Sequence, residues 1–263
     1  MAQKSLKEIV KEEYKRCAVD PVHFMRKYCI IQHPTKGKMF FNLYPFQEEA
    51  LTDLKDHRYN IILKSRQLGI STLSAGYALW CMLFKSDYNV LVIATKQDVA
   101  KNLVTKVRVM HDNLPSWLKG KSVEDNKLSL RFKNGSQIKA ISSKGDAGRS
   151  EAISLLIIDE ASMIDVRLAE SLFAAITPGT RLVLVGDRDQ LPSVGPGNVL
   201  GDCITSGKIT VTHLHEVYRQ GAGSMIIQNA HRVNQGSLPQ KPAHGTETDF
   251  YWIEQDDPDR VVD

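Results

Sequence analysis

An α/β fold, with a mostly parallel sheet covered by helices on both faces, is predicted by three features of this 263-residue sequence. Asn60–Lys64, Asn89–Thr95, Ser154–Asp159 and Arg181–Gly186 are almost continuously apolar, as strands buried on both faces must be. Helix-patterned segments at Ser71–Phe84, Asp98–Asp112 and Asp165–Ile176 alternate with them. The first and third of these strands carry a basic segment and an acidic pair at their C-terminal ends, where such sheets place ligands.

Along the chain, residues 4–18 read as an amphipathic helix with Leu6, Ile9, Val10 and Tyr14 on one face. Asp20-Pro21 opens a second helix, the proline suiting its first turn, and Phe24, Met25 and Tyr28 follow. Pro34–Lys38 is a turn between short extended pieces. Lys127–Phe132 and Gln137–Ile141 flank Asn134-Gly135 as a hairpin. Ile209–Leu214 is a further strand and Ser224–Asn234 a further helix. Residues 155–159 and 181–186 are expected beside Asn60–Lys64, so that Lys64, Glu160 and Gln190 converge at one sheet edge. This divides the chain into an N-terminal helical segment (1–40), a core (41–239) and an incomplete C-terminal extension (240–263).

Composition narrows the class without choosing within it. Hydrophobic residues at 42% and charged residues at 24% read as an ordinary globular protein, not a disordered one. A net charge of +4 permits a nucleic-acid partner without demanding one. Cys17, Cys29, Cys81 and Cys203 form no CxxC pair and no cluster with zinc spacing, which fits a reducing cytoplasm. The N-terminus lacks the apolar stretch of a signal peptide, and the run Tyr77–Phe84 is too short to span a membrane.

The segment Lys64-Ser65-Arg66-Gln67-Leu68-Gly69-Ile70-Ser71-Thr72 leaves a strand and enters a helix, where backbone amides and a helix N-terminus can hold phosphate. It departs from GxxxxGK[ST]: the first glycine is absent and Ile70 stands in the lysine slot. Lys64 can reach back over the loop and Arg66 adds a second cation. Gly69 allows close backbone approach, and Ser71, or Thr72 if the register slips by one, stands at the Mg²⁺-ligand position. The segment also fits a strand–turn–helix with incidental basic residues and Ser71 as a cap. Upstream, Gln47 offers a donor and an acceptor suited to adenine, with aromatic neighbours; it also fits a surface glutamine on a helix.

Leu155–Glu160 is the stronger signal. Asp159 is placed to hold Mg²⁺ and Glu160 to orient and deprotonate the attacking water, a division of labour that phosphoryl transfer needs. After the next strand, Asp187 and Gln190 are placed to face a γ-phosphate, and the glycine-rich loop Ser193–Asn198 follows. Arg219, in YRQ, reaches a phosphate if it lies on the nucleotide face.

DPVHFMRKY (20–28), FNLYPFQEEAL (41–51), KSRQLGIST (64–72), NVLVIATKQDVA (89–100) and LLIIDEAS (155–162) resemble the ATPase domain of a phage terminase large subunit. DEASMIDVRLAESLFAAI (159–176), LVLVGDRDQLPSVGPGNVL (182–200), YRQ (218–220), IIQNAHRVNQGSLP (226–239) and DFYWIE (249–254) resemble a RecD-type superfamily 1 DNA helicase. The two resemblances meet near Leu155–Asp165, as in a recombinant of two P-loop ATPases. They imply a RecA-like P-loop NTPase, with Lys64 as the phosphate-loop lysine, Gln47 on adenine and Gly148-Arg149 near the nucleotide. They also imply Gln190 and Arg219 as γ-phosphate sensors. The expected chemistry is Mg²⁺-dependent ATP hydrolysis coupled to movement of double- or single-stranded DNA, as in packaging. A terminase-like role adds an oligomer or portal-type partner and a host cytoplasm. The alternatives are a RecD-like helicase fragment in recombination or repair, and a non-catalytic nucleotide- or DNA-binding remnant. No nuclease carboxylate cluster is recognisable, and the helicase's second RecA-like domain is not expected in this chain.

Overall fold

A computed structural model describes residues 5–33, 35–64, 68–94, 97–142, 152–187, 190, 193–214, 224–243 and 248–253. The chain forms two compact units, Met1–His215 and Glu216–Asp263.

The first unit opens with two capped helices. Ser5 and Glu8 form a capping box for α1 (Leu6–Val19). Asp20 accepts from the amides of Val22 and His23 to cap α2 (Pro21–Tyr28). The face expected to bury α1 does not: Leu6, Ile9 and Tyr14 are 81%, 52% and 41% exposed, while Cys17 is fully buried. The helix is anchored through its last turns, where the Cys17 carbonyl accepts from the Trp80 indole at 2.8 Å.

Glu13 joins the two helices. Its Oε1 accepts from Lys27 Nζ and Tyr28 Oη, each at 2.8 Å, and lies 2.6 Å from His23 Nε2. The Lys27 hydrogen bond, with help from His23 and Tyr28 and against burial, holds the Glu13 carboxyl at about 2. A depressed carboxyl stabilises the fold above its unfolded value and stops doing so as pH falls through its folded value. Glu13→Gln is therefore expected to cost about 1–2 kcal/mol at neutral pH. In urea melts the gap from wild type should close as pH falls from about 4.5 towards about 2.

An antiparallel ribbon follows, β1 (Ile30–His33) with β2 (Gly37–Phe40). Next come α3 (Pro45–Asp56), β3 (Tyr59–Leu63), α4 (Ile70–Phe84), β4 (Asn89–Ala94) and α5 (Gln97–Asp112). Then follow β5 (Ser122–Asp125), β6 (Ser129–Phe132), β7 (Gln137–Ser142) and β8 (Leu155–Asp159). A 3₁₀ turn at Ala161–Met163 leads into α6 (Val166–Ala174), β9 (Arg181–Gly186), α7 (Val199–Thr205) and β10 (Thr210–His213).

Eight strands form one sheet in the order β10-β3-β9-β8-β4-β7-β6-β5. It is parallel from β10 to β7 and antiparallel from β7 to β5. This is the expected mixed α/β, RecA-like architecture. Two-sided burial explains the continuous apolar strands. Val90, Val92, Leu155, Ile157, Val183 and Val185 enter one core with α3, α4 and α5. Leu91, Ile93, Leu156, Ile158, Leu182 and Leu184 enter the other with α6 and α7. The one difference in order is that β9, not β8, lies directly beside β3; β8 stands one strand further out. Apolarity reports burial of a strand and carries no information about its neighbour.

In the second unit, α8 (Met225–Asn234) begins at Ser224, where Asp249 accepts from Ser224 Oγ at 2.5 Å and from the Met225 amide at 2.8 Å. Asn229 fixes the following chain by exchanging two hydrogen bonds with the Gln240 backbone. Among the described residues, no helix is long and apolar enough to cross a membrane.

Candidate active site

The C-terminal ends of β3, β8 and β9 lie level. Leu63 is in register with Gly186, Asp159 with Val185, and the Lys64 amide donates to the Gly186 carbonyl at 2.9 Å. Lys64, Asp159 and Asp187 thus leave one sheet edge together. Lys64 Nζ donates to Asp159 Oδ1 and Ser71 Oγ donates to Asp159 Oδ2, each at 2.8 Å. The side chains of Lys64 and Asp159 are 18% and 8% exposed. The apolar run of β8 carries Asp159 into a largely dry position, where an unpaired carboxylate would be costly. An ammonium and a hydroxyl from two other elements offset that cost.

Glu160 follows with φ 61° and ψ 43°, left-handed geometry that a non-glycine residue rarely adopts. Its amide donates to Asp159 Oδ1 at 3.1 Å, and the chain turns immediately into the 3₁₀ segment. Beyond β9, Gln190 Nε2 donates to Asp187 Oδ2 at 3.0 Å, so these two residues act as one polar unit.

The end of the basic loop is held from several sides. Gly69 has φ 74°, and the amides of Thr72 and Leu73 both donate to its carbonyl at 3.0 Å. Leu68 and Ile70 are buried at 6% and 1% exposure. The Ile70 side chain, in the usual lysine slot, is therefore a core residue. It is the Ser71 hydroxyl that meets Asp159, the first of the two registers considered. Gln47 is 2% exposed and its carboxamide engages the backbone of Tyr44 and Leu68. Ser65, Arg66, Gln67, Gly148, Arg149 and Arg219 lie outside the described residues.

One cation within the electrostatic reach of Asp159 carried no sequence signal. Lys106, half-buried on α5, is held below the ordinary lysine range by burial, with Asp159 opposing that shift and Lys64 adding to it. A single lysine on an amphipathic helix looks like any solvated one. A second grouping is likewise invisible in linear spacing: ligand-capable atoms of Glu13, Cys17 and His23 lie within 4.8 Å of one another. Lys27 already supplies positive charge to that Glu13.

Residues 73–251, well over half of the chain, match the family model described as an AAA domain. Over 85 residues the chain is 46% identical to the ATP-dependent RecD2 DNA helicase of Deinococcus radiodurans, covering 32% of this chain and 12% of that protein. Over 108 residues it is 32% identical to the RecBCD enzyme subunit RecD of Mycobacterium tuberculosis, covering 40% of this chain and 19% of that one. The matches thus span less than a fifth of either relative's length. Among solved structures, the large terminase of bacteriophage HK97 aligns at TM-score 0.60 and 18% identity, over 79% of this chain and 45% of that one. The UvsW helicase of bacteriophage T4 aligns at TM-score 0.50 and 8% identity, over 78% of this chain and 67% of that one. At these identities the likeness is one of fold. With its parallel sheet and a family match running through the acidic motif, the chain belongs to the AAA-domain family, with P-loop ATPase architecture and sequence kinship to RecD-type helicases.

Proposed function

We propose that the chain is the catalytic core of a Mg²⁺-dependent ATPase whose turnover moves DNA. The observation that carries this reading is the convergence of Lys64 and Ser71 on the two oxygens of Asp159 at the sheet edge. A carboxylate beside a hydroxyl is an oxygen donor set suited to Mg²⁺, so Asp159 and Ser71 would hold the ion. When bound, Mg²⁺ would neutralise charge on the β- and γ-phosphates. Lys64 then exchanges Asp159 for phosphate oxygens, and Arg66 adds its charge to theirs. Glu160 orients and deprotonates water, while Gln190 and Arg219 sense the γ-phosphate. The functional core is residues 41–239, preceded by the helical segment 1–40 and followed by the extension 240–263.

DNA is the proposed partner, in its double- or single-stranded form, with the cytoplasm as the place of action. Packaging, with an oligomer or portal-type partner, is the role suggested by the terminase-like N-terminal motifs. The 46% identity to a RecD2 helicase favours a second reading, ATP-driven unwinding. A recombinant origin near 155–165 fits motifs of both kinds in one chain. The sheet interleaves the two parts, since β3 lies between β10 and β9, both from the later part.

P-loop motors commonly complete their site with a cation supplied in trans, a group that contributes about 10³–10⁵ in rate where measured. Phosphate release by the chain alone is therefore expected to be slow, and to rise with protein concentration and with added DNA. Release should be followed across a wide concentration range, with and without DNA, using Lys64→Ala as a control. A concentration-independent rate on the order of 10 per second from a DNA-free monomer would defeat the expectation of an incomplete site. MgATP binding with no release under any condition would defeat the enzyme reading.

A further inference from the structure

We propose that Glu13, Cys17 and His23 form a binding site for a thiophilic divalent cation of the zinc class, which ties α1 to α2. One ligand-capable atom from each residue lies within 4.8 Å of the other two. Glu13 and Cys17 are four residues apart in the second half of α1, so they share a helix face. His23 stands in the first turn of α2, whose start is fixed by Asp20 accepting from the Val22 and His23 amides. The three ligands therefore come from two regular, capped elements that hold them in place before any ion arrives.

The donor set selects the ion. Thiolate, imidazole and carboxylate together suit zinc, whereas Mg²⁺ takes oxygen donors such as Asp159 and Ser71. Tetrahedral ligands at about 2.0–2.3 Å from zinc stand about 3.3–3.7 Å apart, so side-chain rotations suffice to close the cluster. The setting is largely dry: Cys17 is fully buried, and the His23 and Glu13 side chains are 14% and 18% exposed. Three protein ligands leave a fourth position for water. Tyr28 Oη donates to Glu13 Oε1 at 2.8 Å and supplies the outer hydrogen bond that orients a ligating carboxylate.

Lys27 is the competitor. Its ammonium lies 2.8 Å from Glu13 Oε1, and its side chain is 51% exposed, so it can swing into solvent. Charge balance permits the exchange. Glu13 and Lys27 form a neutral pair beside an uncharged thiol. With Zn²⁺ bound, the Cys17 thiol gives its proton to solvent, and carboxylate plus thiolate balance the ion once Lys27 leaves.

Titration of the metal-free chain with Co²⁺, then Zn²⁺, in excess Mg²⁺ tests this, because Mg²⁺ fills oxygen-donor sites and does not compete for thiolate. The expected result is a thiolate-to-cobalt charge-transfer band that saturates at one ion per chain and is bleached by Zn²⁺. Cys17→Ser should abolish the band. His23→Gln should weaken binding by at least about ten-fold, and Lys27→Met, which removes the competing ammonium, should tighten it by about ten-fold. Absence of the band in wild type would overturn the proposal, as would a band that survives Cys17→Ser and so belongs to another cysteine. Should Cys17→Ser fail to fold, the imidazole resonances of His23 in ¹⁵N-labelled wild type decide the matter. A shift with Zn²⁺ and none with Mg²⁺ supports the site; no shift with Zn²⁺ overturns it.

Discussion

Lys64→Ala is expected to weaken MgATP binding by at least about 100-fold, while Ile70→Ala leaves affinity near wild type. The loop puts an apolar residue where P-loops usually carry lysine, and the structure shows why the charge does not belong there. Ile70 is 1% exposed within the core beside Leu68 and Leu73, whereas the Lys64 ammonium stands at the sheet edge on Asp159. Ile70→Ala should instead cost about 2–5 kcal/mol of stability through the cavity it leaves. Lys64→Ala also lowers stability, because it strips the cation from a buried carboxylate. Melting temperature alone therefore does not separate the two variants, and titration with nucleotide does. Equal affinity in wild type and Lys64→Ala would remove Lys64 from the phosphate site.

Much of this fold was legible because the parallel strands are buried on both faces. Val90–Ile93, Leu155–Ile158 and Leu182–Val185 each feed alternate side chains into opposite cores, so they read as unbroken apolar runs. Strand β5 gave no such signal, since all four of its residues are exposed at the sheet's edge. Helix α7 has seven residues, too few for a helical period to show. In α1 the period was right and its meaning was not: most of the apolar stripe faces outwards, and Cys17 with the Glu13 cluster does the anchoring. At the site, the convergence of Lys64, Ser71 and Asp159 was inferable because each lies at the end of a recognisable element. The engagement of Gln47 was not, because its partner is a backbone carbonyl 21 residues away and backbone acceptors leave no trace in composition. Nor was Lys106, which meets the field of Asp159 only once α5 has folded against the sheet.

Glu160→Gln is expected to keep MgATP affinity within a few-fold of wild type and to reduce turnover by about 10²–10⁴. Glutamine preserves side-chain length and the backbone amide that donates to Asp159 Oδ1, so the ion pair beneath should persist. The choice of substitution matters because Glu160 sits at φ 61°. Glycine at this position would relax the backbone and alter the turn into Ala161–Met163, confounding chemistry with geometry. Glutamine changes only the charge and the ability to take a proton. Single-turnover hydrolysis at saturating nucleotide isolates the chemical step from binding and product release. If the left-handed kink aims the carboxylate at the attacking water, the defect lies wholly in that step. A Glu160→Gln protein with near-normal single-turnover rate would move the role of base to Asp187, which leaves the next strand with Gln190 bonded to it. The corresponding Asp187→Asn variant would then show the lost turnover.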